Sequence, residues 1–481
     1  MATQLQTSIK RFSYIVRILV AVLAGLYLAL MVLFNLPQVR SYLSETISAE
    51  LSRKLGTSFR VGDVHVASIN RIDLKDVCLL DHQNDCLFKS KRVSAQFNFS
   101  DLLHRKQIII NHLDLFDTFC KIYRPDEKTA CNYQFVIDSL SSPSSDSKGK
   151  IELLIRTLMV RNLNLRYDCL DKKRIYDQLD PNHLNLTKVD ADMRINKVAK
   201  DTLNVRLRNI RLKEQCGLDI KRLAFNFVAG PSETNVYNFS LKLPLFFVEI
   251  KQVHAVNERR NKKLDFRHNR FNDVEIKGEW VPSELAFLYK PLKAFGDTKY
   301  KLSARVNKEG PTVSVASNLN TVGCDDLSLQ ASAVFDIDKW LKKRANIKAD
   351  IHQLYISSNH IKQWMAVLNS RAVAPEVIDR VKFVSHQGTF FFGGKKMMCK
   401  GTTSTHLGML KESISCDNSH LRANVESNGF DIGALLNVKP QLGYIDGSIE
   451  AYGILKPSCK LNFRSHINRI AFNHHVFGKI H

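Results

Sequence analysis

Sixteen histidines and ten cysteines are the residues of this chain best suited to hold a metal, yet their spacing gives no metal motif. His474 and His475 are adjacent, so on a strand they would point to opposite faces. His82, His104, His112, His254 and His268 have no helical i,i+4 partner and no HExxH setting, and each reads as a solvated histidine. No two cysteines stand in CxxC spacing, which leaves zinc and thioredoxin-like redox chemistry without support. Cys78 with Cys86, and Cys120 with Cys131, are close enough to bridge neighbouring strands in an oxidising compartment. Isolated buried thiols, behaving as small apolar residues, are the expected state. Asp81, Asn84 and Asp85 offer oxygens of the kind calcium takes, but the glycine and terminal glutamate of an EF-hand loop are missing, so a β-turn is expected. Gly393-Gly394-Lys395-Lys396 lacks the pattern of a phosphate loop and reads as a turn between strands, and no GxSxG elbow occurs. The chain is therefore expected not to be an enzyme, with no catalytic residue, no cofactor and no metal.

The elements around these residues begin with one apolar run. Ile18 to Phe34 carries no charge, and with its flanks (15–36) it is long enough to cross a hydrocarbon core of ~30 Å. A cleavable signal peptide would share the basic residues Lys10, Arg11 and Arg17. The apolar segment exceeds the usual h-region of about 7–15 residues, and Asn35-Leu36-Pro37 is a poor cleavage site, so a retained anchor is expected. Its apolar surface would be Ile18, Leu19, Val22, Leu26, Leu28, Leu30, Leu33 and Phe34. Lys10, Arg11 and Arg17 before the helix are matched by Arg40, Arg53 and Lys54 after it, so the positive-inside rule barely orients it; a cytoplasmic placement of residues 1–14 rests in part on the resemblance given below. Residues 37–56 read as an amphipathic helix: Pro37 suits its first turn, Gly56 its end, and Val39, Leu43, Ile47, Leu51 and Leu55 form one stripe. That helix is expected either to pack across the first strands or to lie at the membrane surface.

The balance of 70 Lys and Arg against 47 Asp and Glu gives a net charge of +23, which favours anionic surfaces. Basic residues are spread along the chain, with local clusters only at Arg259-Arg260-Asn261-Lys262-Lys263 and Lys342-Lys343-Arg344. A nucleic-acid stripe is not expected; with an anchor present, lipid headgroups are the better match.

From Phe59 onward the apolar period becomes two. Leu163, Leu165 and Tyr167 alternate with Asn162, Asn164 and Arg166; Leu203, Val205 and Leu207 with Asn204, Arg206 and Arg208. The pattern returns at Leu223, Phe225 and Phe227, at Tyr237, Phe239 and Leu241, and from Leu327 through Leu329 to Phe335. These are half-buried strands. Helix-like spacing is limited to Ser283–Phe295, Asp338–Lys343 and Ser358–Val384, the last broken near Pro375. The polar stretch Ser139–Ser147 separates a first β segment (57–142) from a second (150–481), with the boundary near Lys150. A few dozen inward residues, each worth roughly 1.5–3 kcal/mol when buried, cannot stay in water. Either a second sheet covers the first, or one sheet curls around something apolar; periodicity does not choose between them.

Particular stretches carry a resemblance. Leu36-Pro37-x-Val39, Leu51-Ser52-Arg53-Lys54-Leu55-Gly56-Thr57, Val61-Gly62-Asp63-Val64 and Asn70-Arg71-Ile72-Asp73-Leu74-Lys75-Asp76-Val77 are similar to the N-terminal region of TamB-type, AsmA-like envelope proteins. So are Asp81-x-x-Asn84-Asp85 and Asn132-Tyr133-Gln134-Phe135-Val136-Ile137-Asp138. Phe430-Asp431-Ile432-Gly433-Ala434-Leu435-Leu436 with Leu442-Gly443 and Gly447 resembles the repeated segments of the same family. The resemblance implies a mainly β protein, an elongated curled sheet (β-taco) with a few interrupting helices, anchored by a single span in the inner membrane of a diderm bacterium with its bulk in the periplasm. Full-length members are much longer, so an N-terminal fragment is implied. The implied role is conduction of phospholipids between inner and outer membranes, or else scaffolding or chaperoning of outer-membrane β-barrel assembly or secretion beside a BamA-like partner. The groove would be lined by Leu163, Leu165, Leu203, Val205, Leu207, Leu223, Phe225, Phe227, Tyr237, Phe239, Leu241, Leu329 and Phe335.

Overall fold

The computed structural model describes residues 2–97, 108–141, 153–199, 202–260, 263–341, 346–368, 376–455 and 459–480. The expected boundary at Lys150, the Lys342-Lys343-Arg344 cluster, the break at Pro375 and His104 lie outside the described residues. Helix α1 (Ala2–Phe34) contains Ser13–Phe34, 22 residues of mean hydropathy 2.5 with none buried. That segment is long and apolar enough to span a membrane. Ile18, Leu19, Val22, Leu26, Leu28, Leu33 and Phe34 are exposed on it and Leu30 is half-buried.

Helix α2 (Pro37–Leu55) begins at its proline and ends at Gly56, whose φ of 67° is the left-handed conformation glycine adopts most readily. Of the two expected placements, the helix takes the packed one. Leu43 and Ile47 lie on Val61, Val64 and Val77, and Leu55 packs with Leu79 and Leu87. The Asn35 amide, between the two helices, donates to the carbonyls of Met31 and Val66 at 2.9 Å each. Helix α3 (Gln134–Ser141) adds Phe135 and Val136 to the Leu55 cluster.

Among the described residues, 23 strands belong to one open sheet, and the chain divides into two compact units, 1–196 with 205–220 and 197–204 with 221–481. In the first unit, β1 (Phe59–Arg60) and β2 (Asp63–Ser68) both pair with β3 (Arg71–Leu80). Antiparallel pairing continues through β4 (Cys86–Phe97) to β5 (Ile108–Arg124). Strand β6 (Leu153–Cys169) lies parallel to β5, and β7 (His183–Ala199) antiparallel to β6. Strand β8 (Thr202–Glu214) crosses the division between units.

The second unit is an antiparallel meander in which each strand pairs with the next. It runs through β9 (Asp219–Ala229), β10 (Glu233–Lys242), β11 (Phe246–Arg260), β12 (Lys263–Trp280), β13 (Tyr300–Glu309), β14 (Thr312–Thr321), β15 (Leu327–Asp336) and β16 (Asn346–Ser357). It continues through β17 (Phe383–Gly393), β18 (Lys396–Thr405), β19 (Gly408–Asp417), β20 (His420–Asp431), β21 (Leu442–Ile454), β22 (Lys460–Phe472) and β23 (His475–Ile480). Among the described residues, short helices interrupt it at α4 (Ile337–Leu341), α5 (Ser358–Leu368), α6 (Val377–Val381) and α7 (Ile432–Leu436). The segment Ser283–Phe295 forms two 3-10 turns, Pro282–Phe287 and Lys290–Phe295, instead of one helix. Pro291 cannot donate the backbone hydrogen bond that a continuous α-helix needs there. These turns and α5 enclose Phe295, Tyr300, Leu327 and Val367 against Trp280, Leu319, Leu354 and Ile356.

Candidate functional site

Residues directly opposite on paired strands share a face, so the registers state which side chains stand together. In the second unit one row starts at Val274 of β12 and passes to Val306, Val315, Ala333 and Ala349. It continues without a polar residue through Phe390, Cys399, Ile414, Ala423 and Ala451 to Phe463 of β22. At about 4.8 Å between strands, the row is on the order of 50 Å long measured along the sheet. A neighbouring row joins Val313, Phe335, Ile347, Phe392, Met397, Cys416 and Leu421. The other face carries Arg305, Ser332, Asp350, Thr389, Lys400 and Ser413 at intervening positions. The alternation read from sequence therefore becomes a sheet with one apolar and one polar face.

The apolar face is incompletely covered. Strands β18, β19 and β22 contain no fully buried residue, and Phe392, Met397 and Phe463 are exposed. Leu329 lies between Leu319 and Leu354, beside the helical cover, and is half-buried, as is Phe335. All described strands lie in one sheet, so a two-sheet sandwich is not the arrangement found.

Strands β9 and β10 bring most of their expected residues together. Leu223 stands opposite Leu241 and Phe227 opposite Val236, while Phe225 and Phe239 stack with ring centroids 6.5 Å apart. Tyr237 is the exception. A bulge at Asn238, with φ 52°, sets Tyr237 opposite Asn226 and therefore on the other face from Phe227. On β8, Leu207 is buried, Val205 half-buried and Leu203 exposed.

The first unit has its own apolar rows: Val64, Leu74, Val93, Leu115, Val160 and Ala191, and beside them Phe59, Leu79, Phe88, Cys120, Leu165 and Leu186. Leu163 pairs with Thr118 and Val189. Burial pushes the Cys120 thiol up to about 11, which keeps it protonated and apolar in character. All ten cysteines are free thiols, but the expected burial holds fully only for Cys169: seven are half-buried, and Cys324 and Cys459 are exposed at strand connections.

Two buried carboxylates in this unit fix turns. The Asp81 carboxylate accepts from the backbone of Gln83 and Asp85, from the Tyr123 hydroxyl and from the Asn132 amide, which fixes the Asp81–Asp85 segment as the expected turn. Asp168 is held by Arg166, Arg174 and His183.

A polar group on the apolar side of β17–β19 was not legible in sequence. Glu412 Oε1 accepts from the Thr403 hydroxyl at 2.6 Å and lies 2.9 Å from His386 Nδ1, with Cys399 in the same cluster. The three residues His386, Cys399 and Glu412 are spaced by thirteen (399 − 386 and 412 − 399), the repeat of two successive hairpins; spacing without register does not bring them together.

The fold defines a protein with a helix suited to membrane anchoring and a large single sheet, amphipathic across its faces. No family model, no curated protein and no solved structure matches the chain.

Proposed function

We propose that this is an inner-membrane-anchored, periplasmic β protein of the TamB-type, AsmA-like kind, whose apolar sheet face conducts phospholipid acyl chains between the inner and outer membranes. The carrying observation is the row from Val274 to Phe463, apolar at every strand and in part exposed. Acyl chains need apolar contact and no directional bonding, and such a row supplies it at equivalent sites. Each CH₂ kept from water is worth about 0.8 kcal/mol, so a chain stays on the face while sliding along it. The basic excess suits anionic headgroups at the rim. Movement is passive, and net direction comes from the membranes or from a partner such as a BamA-like protein.

The test is a photocrosslinking residue placed at Phe390 or Ile414 on the apolar face, and at Thr389 or Lys400 on the polar face, of the membrane-embedded chain. Phospholipid adducts from the first pair and none from the second are expected. Adducts to unfolded outer-membrane protein in place of lipid would replace this reading with the scaffold or chaperone role. Lipid adducts at neither pair would overturn it.

A further inference from the structure

We propose that His386, Cys399 and Glu412 form a binding site for one divalent transition-metal cation of the zinc class, with Thr403 positioning the carboxylate and a fourth coordination place left for water or an anionic ligand. The site is independent of the lipid reading. Its three donors come from adjacent strands β17, β18 and β19, and the candidate ligand atoms lie within 4.8 Å of one another. A tetrahedral zinc-class ion holds nitrogen, sulfur and carboxylate ligands at about 2.0–2.3 Å, so its binding draws the three donors together.

Three observations separate this cluster from an ordinary buried hydrogen bond. The first is its setting: the side chains of His386 and Glu412 are only 9% and 11% exposed, on the face that carries the apolar rows. A buried carboxylate in that position is costly unless it is fully paired. The second is an incomplete pairing. Glu412 Oε1 has both Thr403 and His386, whereas Oε2 is shielded from solvent and has no hydrogen-bond partner. A cation satisfies that oxygen.

The third is the seat of the imidazole. Gly388 and Gly401 face each other across β17 and β18, and a Cβ at Gly401 would lie 2.6 Å from His386 Cε1, or at Gly388 2.9 Å from Nε2. The ring therefore rests against two glycines by its Cε1–Nε2 edge and presents Nδ1 to Glu412. One nitrogen, one sulfur and one carboxylate oxygen form a borderline-soft donor set, which suits zinc and its neighbours and not calcium or magnesium. Ligation by Cys399 displaces its thiol proton, so affinity rises with pH.

The full chain, purified in detergent and stripped with a chelator, is titrated with Co²⁺ as a spectroscopic stand-in and then with Zn²⁺. A thiolate-to-cobalt charge-transfer band that saturates at about one Co²⁺ per chain and is bleached by Zn²⁺ is expected. The band should vanish in Cys399→Ser and persist in Cys416→Ser. Thr403→Val should keep the band while weakening affinity about 10–100-fold, the effect of losing an outer partner to a ligand. A second measurement does not depend on a variant folding: Zn²⁺ should protect Cys399 of the wild-type chain, and not Cys324, from alkylation mapped by mass spectrometry. Absence of the band at saturating Co²⁺, its survival in Cys399→Ser, or equal alkylation of Cys399 with and without Zn²⁺ overturns the proposal.

Discussion

Arg40 of α2 and Asp63 of β2 form a bidentate ion pair, with Nε donating to Oδ1 at 2.9 Å and the second guanidinium nitrogen on Oδ2. The pair fixes the helix against the start of the sheet. Its hydrogen bonds, chiefly from Arg40, hold the Asp63 carboxyl below its ordinary value. The unfolded chain takes up that proton near pH 3.9 and the folded chain resists it. The stabilisation is therefore complete above about pH 5 and is lost as pH falls through the lowered folded value. Arg40→Gln should reduce stability by up to about 1 kcal/mol at pH 7, because the pair is only partly shielded from water. The difference from wild type should shrink at pH 3 in thermal unfolding followed by circular dichroism.

A charge on the apolar face should remove lipid without removing the fold. Phe225→Asp, Phe239→Asp and Phe390→Asp each place a carboxylate where half-buried rings stand, and desolvating it against acyl chains is unfavourable. Phospholipid recovered with the purified protein should fall in each variant while far-UV circular dichroism is retained. Binding by the wild type should vary weakly with salt. A steep fall with salt would instead indicate capture of an anionic polymer by the basic residues.

Much of this architecture is legible in period-two alternation, because a sheet with one apolar face prints that pattern directly. The helix ends were legible too, at Pro37 and Gly56, since each residue has a backbone reason to stand there. The bulges were not. Asp76, Asn162, Asn238 and Asp273 all take positive φ within strands, but asparagine and aspartate also occur as ordinary polar-face residues, so residue type alone does not mark a bulge. Asn238 is the cause of the misplaced Tyr237. The cluster of His386, Cys399 and Glu412 was hidden for a different reason: it requires two hairpin registers, each set by turn geometry and pairing.

Gly433 should be intolerant of any side chain. It is buried in α7, and an added Cβ would overlap the backbone carbonyl of Leu442, which has no rotamer to move. The same helix is capped by Asp431, whose carboxylate accepts from the Ala434 amide at 2.9 Å. Gly433→Ala should destabilise the β20–β21 connection by about 1–3 kcal/mol, the range for forced overpacking. Faster hydrogen exchange at the amides of 431–445, with exchange in β2–β5 unchanged, is the expected readout. Equal exchange rates at 431–445 in Gly433→Ala and wild type would contradict the close approach.

The last prediction concerns the helical cover of β13–β16. His360 of α5 is 1% exposed and its Nε2 lies 2.6 Å from the Tyr300 hydroxyl, with Phe295 packed against both rings. Burial lowers the His360 value below that of a free imidazole, so the folded chain holds it neutral and the Tyr300 hydroxyl donates to Nε2. Tyr300→Phe leaves that nitrogen buried without a partner and should cost about 1–3 kcal/mol. His360→Phe removes the imidazole and its proton linkage together. In the wild type the unfolded chain binds a proton at this histidine below about pH 6.5 while the folded chain does not. This site therefore contributes stability above that pH and loses it as pH falls from about 6.5 toward the lowered folded value. Denaturant midpoints measured between pH 7.5 and 5 should decline less steeply in His360→Phe than in wild type, and an identical decline in the two proteins would show that the buried imidazole is not the group that titrates.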